Sequence, residues 1–203
     1  MAILSIARMG HPVLRRCAEE VLDPSAPEIR ELVADMIETM EDADGAGLAA
    51  PQVLISKRVV IFHVPKDASA GPGEADVPEG EEVDDDGESG EILVLINPVV
   101  EPMGEDIDFG WEGCLSVPDM RGVVPRHRTI RYRGVTPEGE DIDRTVSGFQ
   151  ARVVQHEVDH LDGILYPMRM PDLSLLGYVE ELDRYGLGEE TQPEADAEEE
   201  AVL

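Results

Sequence analysis

Residues 155–160 read Gln-His-Glu-Val-Asp-His, which contains the pattern His-Glu-x-x-His. Side chains four apart on a helix share a face, so His156 and His160 can aim their imidazoles at one metal ion. Glu157 stands about 100° around the helix from His156. There its carboxylate suits a water beside the metal better than the metal itself. Two ligands leave a divalent ion short of a stable site, so a third must come from elsewhere. Two sources compete. Glu180 and Glu181 lie twenty and twenty-one residues after His160, the spacing at which some zinc proteases take a glutamate ligand. Upstream, Cys114 sits in Trp111-Glu112-Gly113-Cys114-Leu115-Ser116, where a glycine lets the thiolate approach a metal and leaves neighbouring backbone N–H groups open to a ligand.

These residues need a rigid support. Ser147 is placed to cap a helix carrying the motif, with Phe149, Val153 and Val154 as its apolar side. A helix this hydrophobic implies a central, buried position. An earlier helix is predicted from about Ser25 to Ala43. Ser25 and Glu28 form a capping-box pattern, and Ile29, Leu32, Val33, Met36, Ile37 and Met40 recur at helical spacing. Gly45-Ala46-Gly47-Leu48-Ala49-Ala50-Pro51-Gln52 follows, eight residues without charge, reading as an inward-facing segment rather than a dinucleotide fingerprint. Strands are predicted at Arg58–Val64, Ile92–Ile96, Thr129–Arg133 and Asp141–Val146, and a last helix from Asp172 to Tyr185. Arg121, Arg126, His127, Arg128, Arg131 and Arg133 gather around the later strands. They read either as an exposed face balancing acidic surroundings or as cations flanking a substrate entrance.

A chain of 203 residues favours one domain with extensions. Its net charge of −29 is uneven: residues 66–91 carry −10 and residues 188–203 carry −7, leaving −12 for the rest. Neither segment has the apolar residues to offset its ordering entropy, so both are expected to be disordered, one as an insert and one as a tail after a catalytic domain spanning 1–187. An acidic field of this size disfavours non-specific binding to nucleic acid or anionic membrane, so no direct nucleic-acid or membrane partner is expected. Cation binding at Asp84-Asp85-Asp86 lacks the spaced ligands of a calcium loop. Only Cys17 and Cys114 are present, too few for a disulfide framework, and Cys17 is expected to be a small buried hydrophobe. The opening residues lack the pattern of a signal peptide, no apolar run is long enough for a membrane span, and a reducing cytoplasm is the expected setting.

Three segments, in this order, resemble the peptide deformylases: residues 45–52, Glu112-Gly113-Cys114-Leu115-Ser116, and Gln155-His156-Glu157-Val158-Asp159-His160. The resemblance implies an α+β fold, antiparallel strands packed around a central metal-binding helix, with an N-terminal and a C-terminal helix. It implies Cys114, His156 and His160 as ligands of one divalent ion per chain, typically Fe²⁺, with Ni²⁺, Co²⁺ or Zn²⁺ as substitutes. Glu157 is then the general base, and the Gln52 side chain and Leu115 N–H stabilise the oxyanion. Gly45, Gly47 and Arg121 meet the substrate, an N-formylmethionyl nascent peptide that is hydrolysed to formate and a free amine. Phe149, Val153 and the stem of Arg152 are expected along the methionine pocket. An idle relative or a purely structural metal site would need neither Glu157 nor Gln52. Three departures from the family stand out: Leu54 where relatives often have glycine, the long acidic insert, and an acidic C-terminus where relatives can dock on the ribosome through a basic helix. Ribosome contact is therefore not carried over.

Overall fold

A computed structural model describes residues 2–64 and 90–186. The expected disorder of residues 66–91 and 188–203, and the Asp84–Asp86 reading, fall outside these residues except at Gly90 and Glu91. The order of elements is α1 (Pro27–Asp42), β1 (Gly47–Ala49), β2 (Val59–His63), β3 (Ile92–Pro102), β4 (Ile107–Cys114), β5 (Val117–His127), β6 (Thr129–Val135), β7 (Asp141–Ser147), α2 (Gly148–Leu161), β8 (Leu176–Tyr178) and α3 (Val179–Tyr185). A five-stranded sheet has the order β1-β2-β3-β6-β7 and a three-stranded sheet the order β4-β5-β8. Every pairing within them is antiparallel.

The run Val59-Val60-Ile61-Phe62 on β2 is buried throughout because the larger sheet is covered on both faces. Val60 and Phe62 point into a core shared with Leu95, Tyr132, Val154 and Leu161, the last two from α2. Val59 and Ile61 point the other way, onto Met36 and Met40 of α1. A smaller core of Val117, Val124, Leu165 and Tyr166 lies under the second sheet. The motif helix α2 touches β1, β2 and β7 of one sheet and β5 of the other. It is the α+β arrangement expected, with α2 at its centre.

Several local expectations are corrected. Helix α1 begins at Pro27 with Ala26 as its uncapped N-cap, because Ser25 bonds Asp23 instead (Oγ to Oδ1, 2.7 Å). Ser147 is the N-cap of α2 but makes no side-chain cap bond. Strand β3 runs through Asn97-Pro98 to Pro102, with a register shift between Ile96 and Val99 where Asn97 takes a positive φ of 51°. The predicted last helix is divided. Asp172 caps a short 3₁₀ turn, Leu176–Tyr178 pairs with Met120–Gly122 of β5, and only Val179–Tyr185 is α-helical. Cys17 is exposed rather than buried, its sulfur 4.0 Å from Asp162.

Candidate metal centre

Helix α2 delivers His156 and His160 to one place, their ring centroids 5.0 Å apart. The third arrival is Cys114, at the end of β4. A register shift between Gly113 and Cys114 bends the strand there, a distortion of the kind that re-aims a side chain. Cys114 Sγ lies 3.3 Å from His160 Nε2, and one donor atom from each of the three residues falls within 4.8 Å of the others. Ligand atoms about 2.0–2.3 Å from a common tetrahedral ion stand roughly 3.3–3.8 Å apart, so the set fits a metal. Glu180 and Glu181 are not in the group.

His156 is held from behind. Its Nδ1 is 2.8 Å from Glu112 Oε2, which leaves Nε2 for the cluster. Glu112 is itself gripped by Arg126, through Nε at 2.8 Å and Nη2 at 2.9 Å, and by Arg152 Nη1 at 2.9 Å. Arg126 also donates to Asp159 at 2.6 Å, and Asp159 accepts from Arg169. Burial alone would push Glu112 up, but hydrogen bonds from Arg126 and His156 override it and hold the carboxyl at about 2. Burial pushes the His160 imidazole well below its usual range, so it is neutral, as a metal ligand must be.

Glu157 is buried against Gly47. A Cβ on Gly47 would lie 2.5 Å from Glu157 Oε1, so only glycine permits this approach. The other carboxylate oxygen, Oε2, is buried without a hydrogen-bond partner among the described residues. Burial pushes Glu157 up to about 7. Gln52 is fixed at its carbonyl end, where Oε1 accepts from Ala49 N–H at 2.8 Å. Its amide end therefore faces the site, 3.2 Å from Ser116 Oγ and 3.6 Å from Cys114 Sγ.

These residues open into a cleft of about 490 Å³. Gly45, Gly47, Gln52, Cys114, Leu115, His156 and Glu157 line it, with Phe149, Arg152 and Val153 along α2. Arg121 is placed differently. Its guanidinium lies 5.1 Å over the Trp111 ring, which lines the cleft, and pairs with Asp183 at 2.7 Å. The arginine cluster also divides: Arg126 is buried in the ionic network, while Arg131 and Arg133 form exposed pairs with Asp143 and Glu101.

The family profile described as polypeptide deformylase matches residues 3–175 of this chain. The chain belongs to the polypeptide deformylase family. Peptide deformylase 1 of Nitrosomonas europaea is 48% identical over 180 residues, 89% of this chain and 94% of the relative. A class I type b peptide deformylase from Acinetobacter baumannii superposes with a TM-score of 0.70 at 34% identity, over 84% of this chain and all of that one. A structure of the same enzyme bound to Met-Ala-Ser gives 0.69 at 35% identity, over 83% and 100%. Deformylases are hydrolases that remove the N-formyl group from nascent polypeptides and depend on a metal ion. The Cys114, His156 and His160 group can bind one here.

Nothing in the local sequence gives Glu112 a role or joins it to Arg126 and Arg152, and through Arg126 to Asp159 and Arg169. Asp159 gave a signal: an acid on an otherwise buried helix face needs a cation.

Proposed function

We propose that Cys114, His156 and His160 hold one divalent ion, Fe²⁺ in the native protein, and that Glu157 is the general base and acid of deformylation. The reading is carried by the unpartnered, buried Glu157 Oε2 beside a complete Cys/His₂ donor set. A divalent cation in this position polarises a carbonyl and lowers the pKa of water. The protein supplies the rest. Glu157 takes a proton from the attacking water and returns it to the departing amine, a role suited to a carboxyl near neutrality. The Gln52 amide, locked by Ala49, and the Leu115 N–H donate to the oxygen on which charge develops. Gly45 and Gly47 let the peptide lie against main chain, and Phe149 and Val153 offer the methionine side chain an apolar wall. Arg121, stacked on Trp111, stands at the rim to meet the peptide beyond the methionine.

The substrates are formylmethionyl nascent chains, which places the enzyme in the cytoplasm where they are made. No helix among the described residues is long and apolar enough to cross a membrane. We read residues 1–187 as one catalytic domain bearing the acidic insert 66–91, and residues 188–203 as an acidic appendage not required for the chemistry. The Met-Ala-Ser bound to the Acinetobacter baumannii enzyme supports a peptide in the corresponding cleft. The direct test is anaerobic purification with metal analysis, followed by a formate-release assay on formyl-Met-Ala. Formate release with iron bound is expected. An iron- or nickel-loaded protein that releases none would refute the reading.

A further inference from the structure

Ile107, Phe109 and Trp111 occupy alternate positions of β4, so their side chains share one face of the strand. All three are exposed, at 43%, 56% and 42%. The residues between turn elsewhere. Glu112 is buried, and a Cβ on Gly110 would lie 2.8 Å from the Arg152 guanidinium, which fills that space. Arg152 also takes the carbonyls of Asp108 and Gly110, at 2.9 Å and 3.3 Å. The face therefore offers apolar side chains rather than an open strand edge. A contiguous apolar ridge on a chain of net charge −29 calls for an occupant.

Both ends of the ridge open into clefts. Trp111 lines the catalytic cleft, and Ile107 lines a second one of about 690 Å³ on the opposite flank of α2. The walls of that second cleft include Pro98, Val99, Val100 and Val158. An extended peptide advances ~3.3 Å per residue, the pitch of the strand itself. A chain that starts at Cys114 and follows β4 outward passes Trp111 after about three residues, Phe109 after about five and Ile107 after about seven.

We infer that the Trp111–Phe109–Ile107 ridge is an extended subsite for the substrate polypeptide, taking apolar side chains at alternate positions beyond the third residue. This rests on the deformylase reading and adds a preference to it. Continuity with the catalytic cleft points to the occupant: Cys114, Gly113 and Trp111 of β4 line that cleft, so the downstream part of a nascent chain bound there can run out along the same strand. Peptides of two or three residues end before Phe109 and cannot report the subsite.

The test compares metal-loaded wild type with the double variant Ile107→Ser/Phe109→Ser. Substrates are formyl-Met-Ala-Ser and two formylated octapeptides, one with Leu at positions 5 and 7 and one with Ser there. Wild type should favour the Leu octapeptide roughly tenfold in kcat/KM, through KM. The double variant should lose that preference while turning over the tripeptide as wild type does, which also shows that it folds. Absence of the preference in wild type, or its survival in the double variant, overturns the subsite. A concentration-dependent dimer abolished by the two substitutions assigns the ridge to a second copy and likewise overturns it. Failure of wild type to deformylate the tripeptide refutes the deformylase reading itself.

Discussion

In the role proposed for it, Glu157 would be ionised to take a proton and protonated to give it back, and burial that raises it to about 7 suits both halves of that cycle. A cation beside it favours the ionised form and moves the titration downward. The base form is lost as pH falls, so kcat/KM should decline about tenfold per pH unit below a limb at or under about 7. Glu157→Gln should remove that limb and lower kcat roughly 10²–10⁴-fold with metal content unchanged. A variant that keeps turnover would take Glu157 out of the mechanism. Glu112 acts one step back. Held at about 2 against an ordinary 4.5, it contributes stability that is complete above pH ~4.5 and is lost as pH falls through ~2, about 3 kcal/mol in all. Glu112→Gln should weaken metal binding roughly 10–100-fold in a chelator competition, because His156 loses the carboxylate that orients it. Equal affinity in the variant would show that packing alone sets the ring. The Cys114, His156 and His160 group was legible because the types and spacing of its residues are chemical. Glu112's role was not, since its partners Arg126, Arg152 and His156 stand 14, 40 and 44 residues away.

Elements were legible where a single period decided them. Helix α2 and strand β2 carry continuous apolar signals, one at helical spacing and one as a short run buried on both faces. Strand β5 holds Pro118, Gly122 and Pro125, which read locally as turns. Pairing with β4 on one side and β8 on the other makes it a strand nevertheless. The same pairing overrides the helical spacing of Leu173, Leu176, Val179 and Leu182. Leu54 is the clearest case of sequence pointing at geometry. It ends the 3₁₀ turn Ala50–Val53 that carries Gln52, and it does so in the left-handed region, with φ 70° and ψ 10°. A side chain there costs about 1–2 kcal/mol, which glycine avoids while losing some unfolded-state entropy of its own. Leu54 is exposed, so little burial is forfeited on removing it. Leu54→Gly should therefore raise stability by about 1 kcal/mol, read as a higher thermal midpoint, with formate release unchanged. A lower midpoint would mean that the leucine packs productively at this turn.

At the scale of the whole molecule, charge is the dominant unpaired quantity. The chain carries −29, and its described cations are largely engaged: Lys57 with Glu19, Arg58 with Asp162, Arg131 with Asp143, Arg133 with Glu101. The remaining field acts over a Debye length of about 10 Å at 0.1 M salt, so it reaches an approaching peptide more than the bond being broken. It should therefore appear in kcat/KM and not in kcat. Formylated peptides bearing lysine should gain kcat/KM as salt falls from about 0.15 M to about 0.01 M, and those bearing glutamate should lose it. Deleting residues 188–203 takes the net charge from −29 to −22. The truncated protein should keep its kcat and show a shallower salt dependence with both peptides. A fall in kcat on truncation would instead mean that the acidic tail reaches the site and contributes to the chemistry there.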